Sequence, residues 1–192
     1  QVSFQNGMKL TCKTDYPYDL HITYQVEKGG RIAIRIPDYS KTWTLCVNGK
    51  EADATPEKGY VYLNAADGDT ITLALDDTPY FVYASSRVPH LTGKTALCRG
   101  PLVYCFEGVD NDGDVLSLSL KDGETPVVGS YDENLLGGSV TLTVSAARTE
   151  DTKSLYTASR PGTKACSAVA VPYYTWGNRG ENQMRVWMDE AK

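Results

Sequence analysis

The sequence predicts an all-β protein, two packed antiparallel β-sandwich domains of jelly-roll type with very little helix. Three observations carry this expectation. Apolar residues recur at every second position through most of the chain, as one face of a half-buried strand requires. Turn residues interrupt these runs about every 8–12 positions, the rhythm of sandwiches and barrels. No window longer than ~10 residues shows the i, i+3, i+4, i+7 apolar stripe of a packed helix.

Taken in order, Leu20, Ile22, Tyr24 and Val26 share one face, with His21, Thr23 and Gln25 between them. Ile32, Ile34 and Ile36 repeat the pattern until Pro37 stops the strand. Trp43, Leu45 and Val47 follow and end at Asn48-Gly49, a strong signal for a two-residue hairpin. Val61 and Leu63 alternate with Tyr60 and Tyr62, and Gly68-Asp69 turns the chain into Ile71, Leu73 and Leu75. Tyr80-Phe81-Val82-Tyr83 is a continuous apolar run, expected of a strand covered on both faces.

At mid-chain stands Thr95-Ala96-Leu97-Cys98-Arg99-Gly100-Pro101-Leu102-Val103-Tyr104-Cys105-Phe106-Glu107-Gly108. Gly frees the backbone and Pro fixes its own torsion, so this stretch reads as a strand that bends at Gly100-Pro101 and continues. It is the natural seam of the chain. We place the boundary there, with residues 1–107 as the first sandwich and 108–192 as the second. Beyond it, Leu116, Leu118 and Leu120 alternate with serines, Val140, Leu142 and Val144 with Thr and Ser, and Val169 and Val171 precede Pro172. Residues 107–114 and 150–164 read as loops. A last strand around 183–188 either stays in the second unit or returns to the first.

At 192 residues, the chain can bury roughly 70% of its unfolded surface. A net charge of −5, with lysines and arginines scattered, argues against nucleic acid or an anionic membrane as partner. No apolar stretch approaches the ~20 residues that span a bilayer. The five cysteines, Cys12, Cys46, Cys98, Cys105 and Cys166, are odd in number, dispersed and without a CxxC. They read as reduced structural thiols in a reducing, cytoplasmic compartment, with an isolated disulfide left open. The amino terminus, without a basic leader or an initiating Met, reads as a cut end.

The residues by themselves point to no chemistry. Asp110-Asn111-Asp112-Gly113-Asp114 lacks the glycine and glutamate positions of a helix-flanked calcium loop and reads as a solvated turn. His21 alternates outward on a strand and His90 follows Pro89 in a loop, so neither suggests a metal or catalytic setting. Nothing resembles G-x-S-x-G. The most loaded segment is Pro172-Tyr173-Tyr174-Thr175-Trp176-Gly177-Asn178-Arg179-Gly180. Tyr173, Tyr174, Trp176, Asn178 and Arg179 are its candidate contact residues. Aromatic faces stack on sugars and also anchor protein interfaces, and packing against another domain is the favoured reading.

Several blocks recur here in a recognisable order. They are Thr14-Asp15-Tyr16-Pro17, Arg35-Ile36-Pro37, Val47-Asn48-Gly49, Gly59-Tyr60, Gly68-Asp69 and Arg99-Gly100-Pro101-Leu102-Val103-Tyr104-Cys105. Pro172-Tyr173-Tyr174, Trp176, Asn178-Arg179-Gly180, Met184 and Val186-Trp187 complete the series. The series resembles the carboxy-terminal part of glycoside hydrolase family 127, whose founding activity is β-L-arabinofuranosidase. One departure is Asp38-Tyr39, where the family usually carries Gly-Trp.

The resemblance implies an α/α helical barrel followed by two β-sandwiches. It also implies a retaining cleavage in which a zinc-bound cysteine, from an adjacent Cys-Cys pair in the barrel, is the nucleophile. This chain has no adjacent cysteines, so no catalytic or zinc-binding position carries over. The expectation is an accessory region without cofactor, its zinc and nucleophile belonging to a missing barrel. Its partners would be that barrel and a second copy in a homodimer, with the aromatic segment facing one of them. The alternatives are an autonomous carbohydrate-binding module using Tyr173, Tyr174 and Trp176, and a self-contained hydrolase, which needs a histidine or a carboxylate pair converging in a pocket.

Overall fold

The computed structural model describes residues 1–5, 7–121 and 123–191. The chain forms two compact units, residues 1–78 and 79–192, and is all-β in both. Its helical content among the described residues is three single 3-10 turns, Pro89–Leu91, Gly108–Asp110 and Tyr173–Thr175.

The first unit contains β1 (Val2–Ser3), β2 (Lys9–Thr14), β3 (His21–Lys28), β4 (Gly30–Arg35), β5 (Trp43–Val47), β6 (Lys50–Glu51), β7 (Tyr60–Ala65) and β8 (Thr70–Leu75). Six of these pair in the order β1-β2-β3-β8-β5-β6, while β4 and β7 pair with each other. The inward alternation is the one the sequence predicts. Leu10, Leu20, Val26, Leu45, Ile71 and Leu73 meet Ile32, Ile34 and Val61 in one buried core. The Asn48-Gly49 hairpin forms as expected, with φ +50° and +76° and Val47 opposite Lys50. Asn48 also ties it to the neighbouring turn, donating to Asp69 at 2.8 Å and accepting from the Thr70 amide at 2.9 Å.

The second unit contains β9 (Pro79–Tyr83), β10 (Lys94–Arg99), β11 (Leu102–Glu107), β12 (Leu118–Leu120), β13 (Val127–Asp132), β14 (Ser139–Thr149), β15 (Thr163–Pro172), β16 (Met184–Arg185) and β17 (Met188–Glu190). Pairing runs from β10 through β11, β15, β14, β12 and β17 back to β10, enclosing a core around Leu97, Tyr104, Phe106, Leu118, Leu142 and Met188.

Four expectations change here. The units divide between Thr78 and Pro79, not at Gly108, because β9 pairs with Thr95 to Arg99 of β10 and draws the mid-chain stretch into the second unit. That stretch does not bend and continue. It reverses at Gly100-Pro101 into an antiparallel hairpin with Arg99 opposite Leu102, and Gly100 at φ +52° supplies the positive torsion of a II′ turn. The run 80–83 is a half-buried edge strand, since β9 pairs with β10 alone among the described residues and Tyr83 is exposed. Leu116 lies outside β12 and is exposed.

The end of the chain pairs with residues 94–95 and 106–107, which belong to the second unit. No helix among the described residues is long and apolar enough to cross a membrane.

Leu142 is completely buried between the strands that flank β14. Leu142→Ala is expected to lower the stability of the second unit by about 2–5 kcal/mol, read as a shift of its urea unfolding midpoint by tryptophan fluorescence. An unchanged midpoint would contradict the assigned core.

Candidate functional site

The site is built from the end of β11. Its last four residues, Tyr104, Cys105, Phe106 and Glu107, are all inaccessible to solvent, so the strict alternation of a one-faced strand is lost. A buried carboxylate needs a charged partner and hydrogen bonds to offset its lost hydration. Glu107 finds both in the segment that follows β15.

Arg179 is the partner. Its Nη2 donates to Glu107 Oε2 at 2.5 Å and to Asp110 Oδ2 at 2.5 Å, and its Nη1 donates to Asp110 Oδ1 at 2.7 Å. The fork on Asp110 is bidentate, the strongest arrangement available to a guanidinium. The second oxygen of Glu107 accepts from the Gly177 amide at 3.2 Å and from Asn182 at 3.4 Å.

Burial acts to raise the Glu107 carboxyl. The hydrogen bonds from Arg179, Gly177 and Asn182, together with the Arg179 charge, outweigh it and hold the group below the usual carboxylate range. The hydrogen bond to Asp110, helped by Glu107, raises Arg179 further against its own desolvation.

Asn111 extends the network. It is buried, donates to the carbonyls of Glu107 at 2.8 Å and Val169 at 2.9 Å, and accepts from the Val169 amide at 3.0 Å. Arg148 closes the far side on the carbonyls of Asp114 and Asn111. Within the 110–114 cluster Asp112 and Gly113 stand exposed in a turn, as expected, whereas Asn111 is buried on backbone groups and Asp110 is engaged by Arg179, contacts that alternation cannot report.

The five candidate residues fall into two sets. Tyr173, Tyr174 and Trp176 stand exposed at 43%, 57% and 46%. The Tyr173 and Trp176 rings lie 6.4 Å apart and 14° from parallel, an offset stack. Arg179 is half-buried and turns inward onto its carboxylates, whereas Asn178 is exposed and folds back onto the turn. Asn178 donates to the Thr175 carbonyl at 2.9 Å, and Thr175 is buried with its hydroxyl on the Pro172 carbonyl at 2.7 Å. These hydrogen bonds tie the backbone of the aromatic turn together. Sequence reasoning missed Glu107 and Asp110; the available signal was a lone Glu closing an otherwise apolar run.

Glu107 and Asp110 do converge, but both are closed off by Arg179. The Cys105 thiol beneath them is pushed up to about 12, first by burial and then by Glu107, which removes its thiolate at neutral pH. His21 is exposed in the first unit and its ring pairs with neighbouring Asp19, Nδ1 2.6 Å from Oδ1. His90 sits in the 89–91 turn of the second unit. Among the described residues no three His, Cys, Asp or Glu side chains gather to hold a metal. Those described residues therefore offer no ligand set for zinc.

Comparison with known proteins accounts for the two units separately. The sequence matches the β-L-arabinofuranosidase GH127 middle domain over residues 1–77 and the glycoside hydrolase family 127 C-terminal domain over residues 79–189. The chain belongs to glycoside hydrolase family 127.

It is 39% identical, over 96% of its length, to the non-reducing end β-L-arabinofuranosidase of Bifidobacterium longum subsp. longum, of which it covers 30%. A solved GH127 β-L-arabinofuranosidase from Geobacillus stearothermophilus T6 superposes with a TM-score of 0.91 at 32% identity, over 100% of this chain and 32% of that one. A further solved GH127 β-arabinofuranosidase gives 0.84 at 26% identity, over 96% and 32%. The chain thus spans about a third of the length of the relatives it matches.

Arg179→Met leaves Glu107 buried without its counter-charge and is expected to destabilise the second unit by about 3–5 kcal/mol near neutral pH. The folded-state value of Glu107 is depressed, so the stability it contributes is fully present above its unfolded value of about 4.3. That stability is lost as pH falls through the folded value. Urea unfolding of both chains between about pH 7 and pH 3 tests this. A gap that does not narrow in acid would remove Glu107 as the partner.

Proposed function

We propose that this chain is the accessory β-sandwich region of a β-L-arabinofuranosidase-like glycoside hydrolase, and that it carries no catalytic group of its own. The observation that carries this reading is the closure of its densest ionisable cluster. Both carboxylates are engaged by Arg179, and a general acid or nucleophile must reach the glycosidic oxygen or anomeric carbon. Zinc and the nucleophilic thiol belong, in this reading, to an α/α barrel elsewhere in the polypeptide. The cellular address is a reducing one, in keeping with five unpaired thiols, of which Cys98 and Cys105 are buried.

The exposed Tyr173, Tyr174 and Trp176 form the docking surface for the barrel or for a second copy. Rigid aromatics lose little conformational entropy on burial, which is why such residues anchor interfaces. The offset Tyr173–Trp176 pair favours one second reading, a sugar-binding platform. In that case arabinan-type oligosaccharides would bind the chain saturably, and Trp176→Ala would abolish the binding.

The purified 192-residue chain is expected to show no turnover of aryl β-L-arabinofuranosides, and turnover would overturn the accessory assignment. Replacing Tyr173 and Trp176 together by Ala is expected to change the stability of this chain by no more than about 0.5 kcal/mol. The same pair of changes in the full-length polypeptide is expected to lower its melting temperature. Equal effects in both settings would assign the rings to folding, not docking.

A further inference from the structure

The first unit is an incomplete sandwich. Among the described residues six strands form one layer and β4 and β7 the other, so the larger sheet extends past its partner. The gap opens along β4. A cleft of about 510 Å³ is lined by five consecutive β4 residues, Arg31 to Arg35, together with Tyr60 of β7, and by Val2, Phe4, Met8, Leu10, Cys12 and Tyr24. Consecutive residues of a strand line a space together only when its edge faces that space, because side chains alternate between the two faces.

The backbone agrees. The Ile36 amide donates to the Gly59 carbonyl at 2.9 Å, so Ile32, Ile34 and Ile36 direct their hydrogen-bonding groups to β7. The groups of Arg31, Ala33 and Arg35 therefore point the other way, into the cleft, and among the described residues β4 pairs with β7 alone. An open strand edge beside an apolar floor is a template for another strand.

We propose that an extended segment of the same polypeptide, from outside residues 1–192, adds to the free edge of β4 and completes the smaller sheet. The inference rests on the reading of this chain as one part of a longer polypeptide, and relatives about three times its length supply the material for such a segment. An occupant of about five residues, roughly 17 Å long, matches the exposed edge. Its inward side chains are apolar and meet Met8, Leu10, Ile32 and Ile34.

Its outward side chains are acidic or neutral, because they lie beside Arg31 and Arg35. Those cations are themselves held over Tyr62 at 5.1 Å and Tyr60 at 5.4 Å. A second copy fits poorly. Two-fold antiparallel pairing about Ala33 would set Arg31 opposite Arg35 twice, and like charges directly opposite one another destabilise a sheet.

Amide hydrogen exchange of the full-length polypeptide against the 192-residue chain tests this. The amides of Arg31, Ala33 and Arg35 are expected to exchange at least about 100-fold more slowly in the full-length protein. Equal rates would overturn the inference. So would protection that appears in the 192-residue chain as its concentration rises, which would make the occupant a second copy.

Ala33→Pro provides the second measurement, since Pro is tolerated where an edge amide faces outward. It is expected to leave the urea midpoint of the 192-residue chain unchanged and to lower that of the full-length protein. The opposite pattern, or an equal shift in both, would sink the edge reading. Turnover by the isolated chain would remove the accessory assignment and leave the exchange result standing, so the two failures are distinguishable.

Discussion

The second unit depends on one guanidinium. Arg179 joins the end of β11 through Glu107, the following turn through Asp110, and the aromatic segment through its own backbone. A carboxylate with no solvent access would raise its pKa and leave its backbone surroundings poorly satisfied if it stood alone. Paired, it becomes a fixed point. Two loops separated by about seventy positions along the chain are thereby placed to within hydrogen-bond tolerance, and the aromatic turn inherits that precision. Buried ion pairs are weak sources of net stability, so its value here lies in specifying one conformation of an otherwise irregular segment.

That specification makes the exposed rings usable. Tyr173, Tyr174 and Trp176 project from a single 3-10 turn, which has too few hydrogen bonds to be rigid by itself. Rigidity comes from below. Thr175 is buried and bonded to Pro172, Asn178 holds the Thr175 carbonyl, and the Gly177 amide reaches Glu107. A contact surface whose side chains are already ordered loses less entropy when a partner covers it. The division of labour within one short segment, rings outward and guanidinium inward, is the physical content of the candidate site.

How much of this was legible follows from which physical signal each element sends. Period-two alternation reports strands with one buried face, so residues 20–26, 30–36 and 70–75 and the Asn48-Gly49 turn could be read directly. β13 sends no such signal, because all of its residues are exposed or half-exposed and it is held by backbone pairing to β14. The Gly100-Pro101 step was visible as a discontinuity. A bend and a reversal use the same residues, and only the partner strands decide between them.

The division between units was misplaced for the same reason, since β9 is joined to β10 by ladder hydrogen bonds that leave no trace in composition. At the site, the aromatic positions were legible by their number in a turn-rich stretch. Glu107 and Asp110 were not, because the partner that makes a buried carboxylate tolerable lies about seventy residues away and is invisible to any local window.

Both units share a feature that supports the proposed accessory role. In each, the irregular or incomplete part of the fold is where the physical chemistry points outward. The second unit closes its strand pairings into a ring and presents aromatics from a pinned turn. The first leaves a two-stranded layer opposite a six-stranded one, with an apolar floor beside an open edge. An isolated domain would be expected to cover such an edge with charge, proline or a bulge, because open edges invite aggregation. Here the cover along β4 is limited to two arginines stacked on tyrosines, which leave the floor accessible. Surfaces of this kind are stable over time when something else in the same molecule habitually covers them. That favours a chain whose strands serve as support for a larger body over one that works alone.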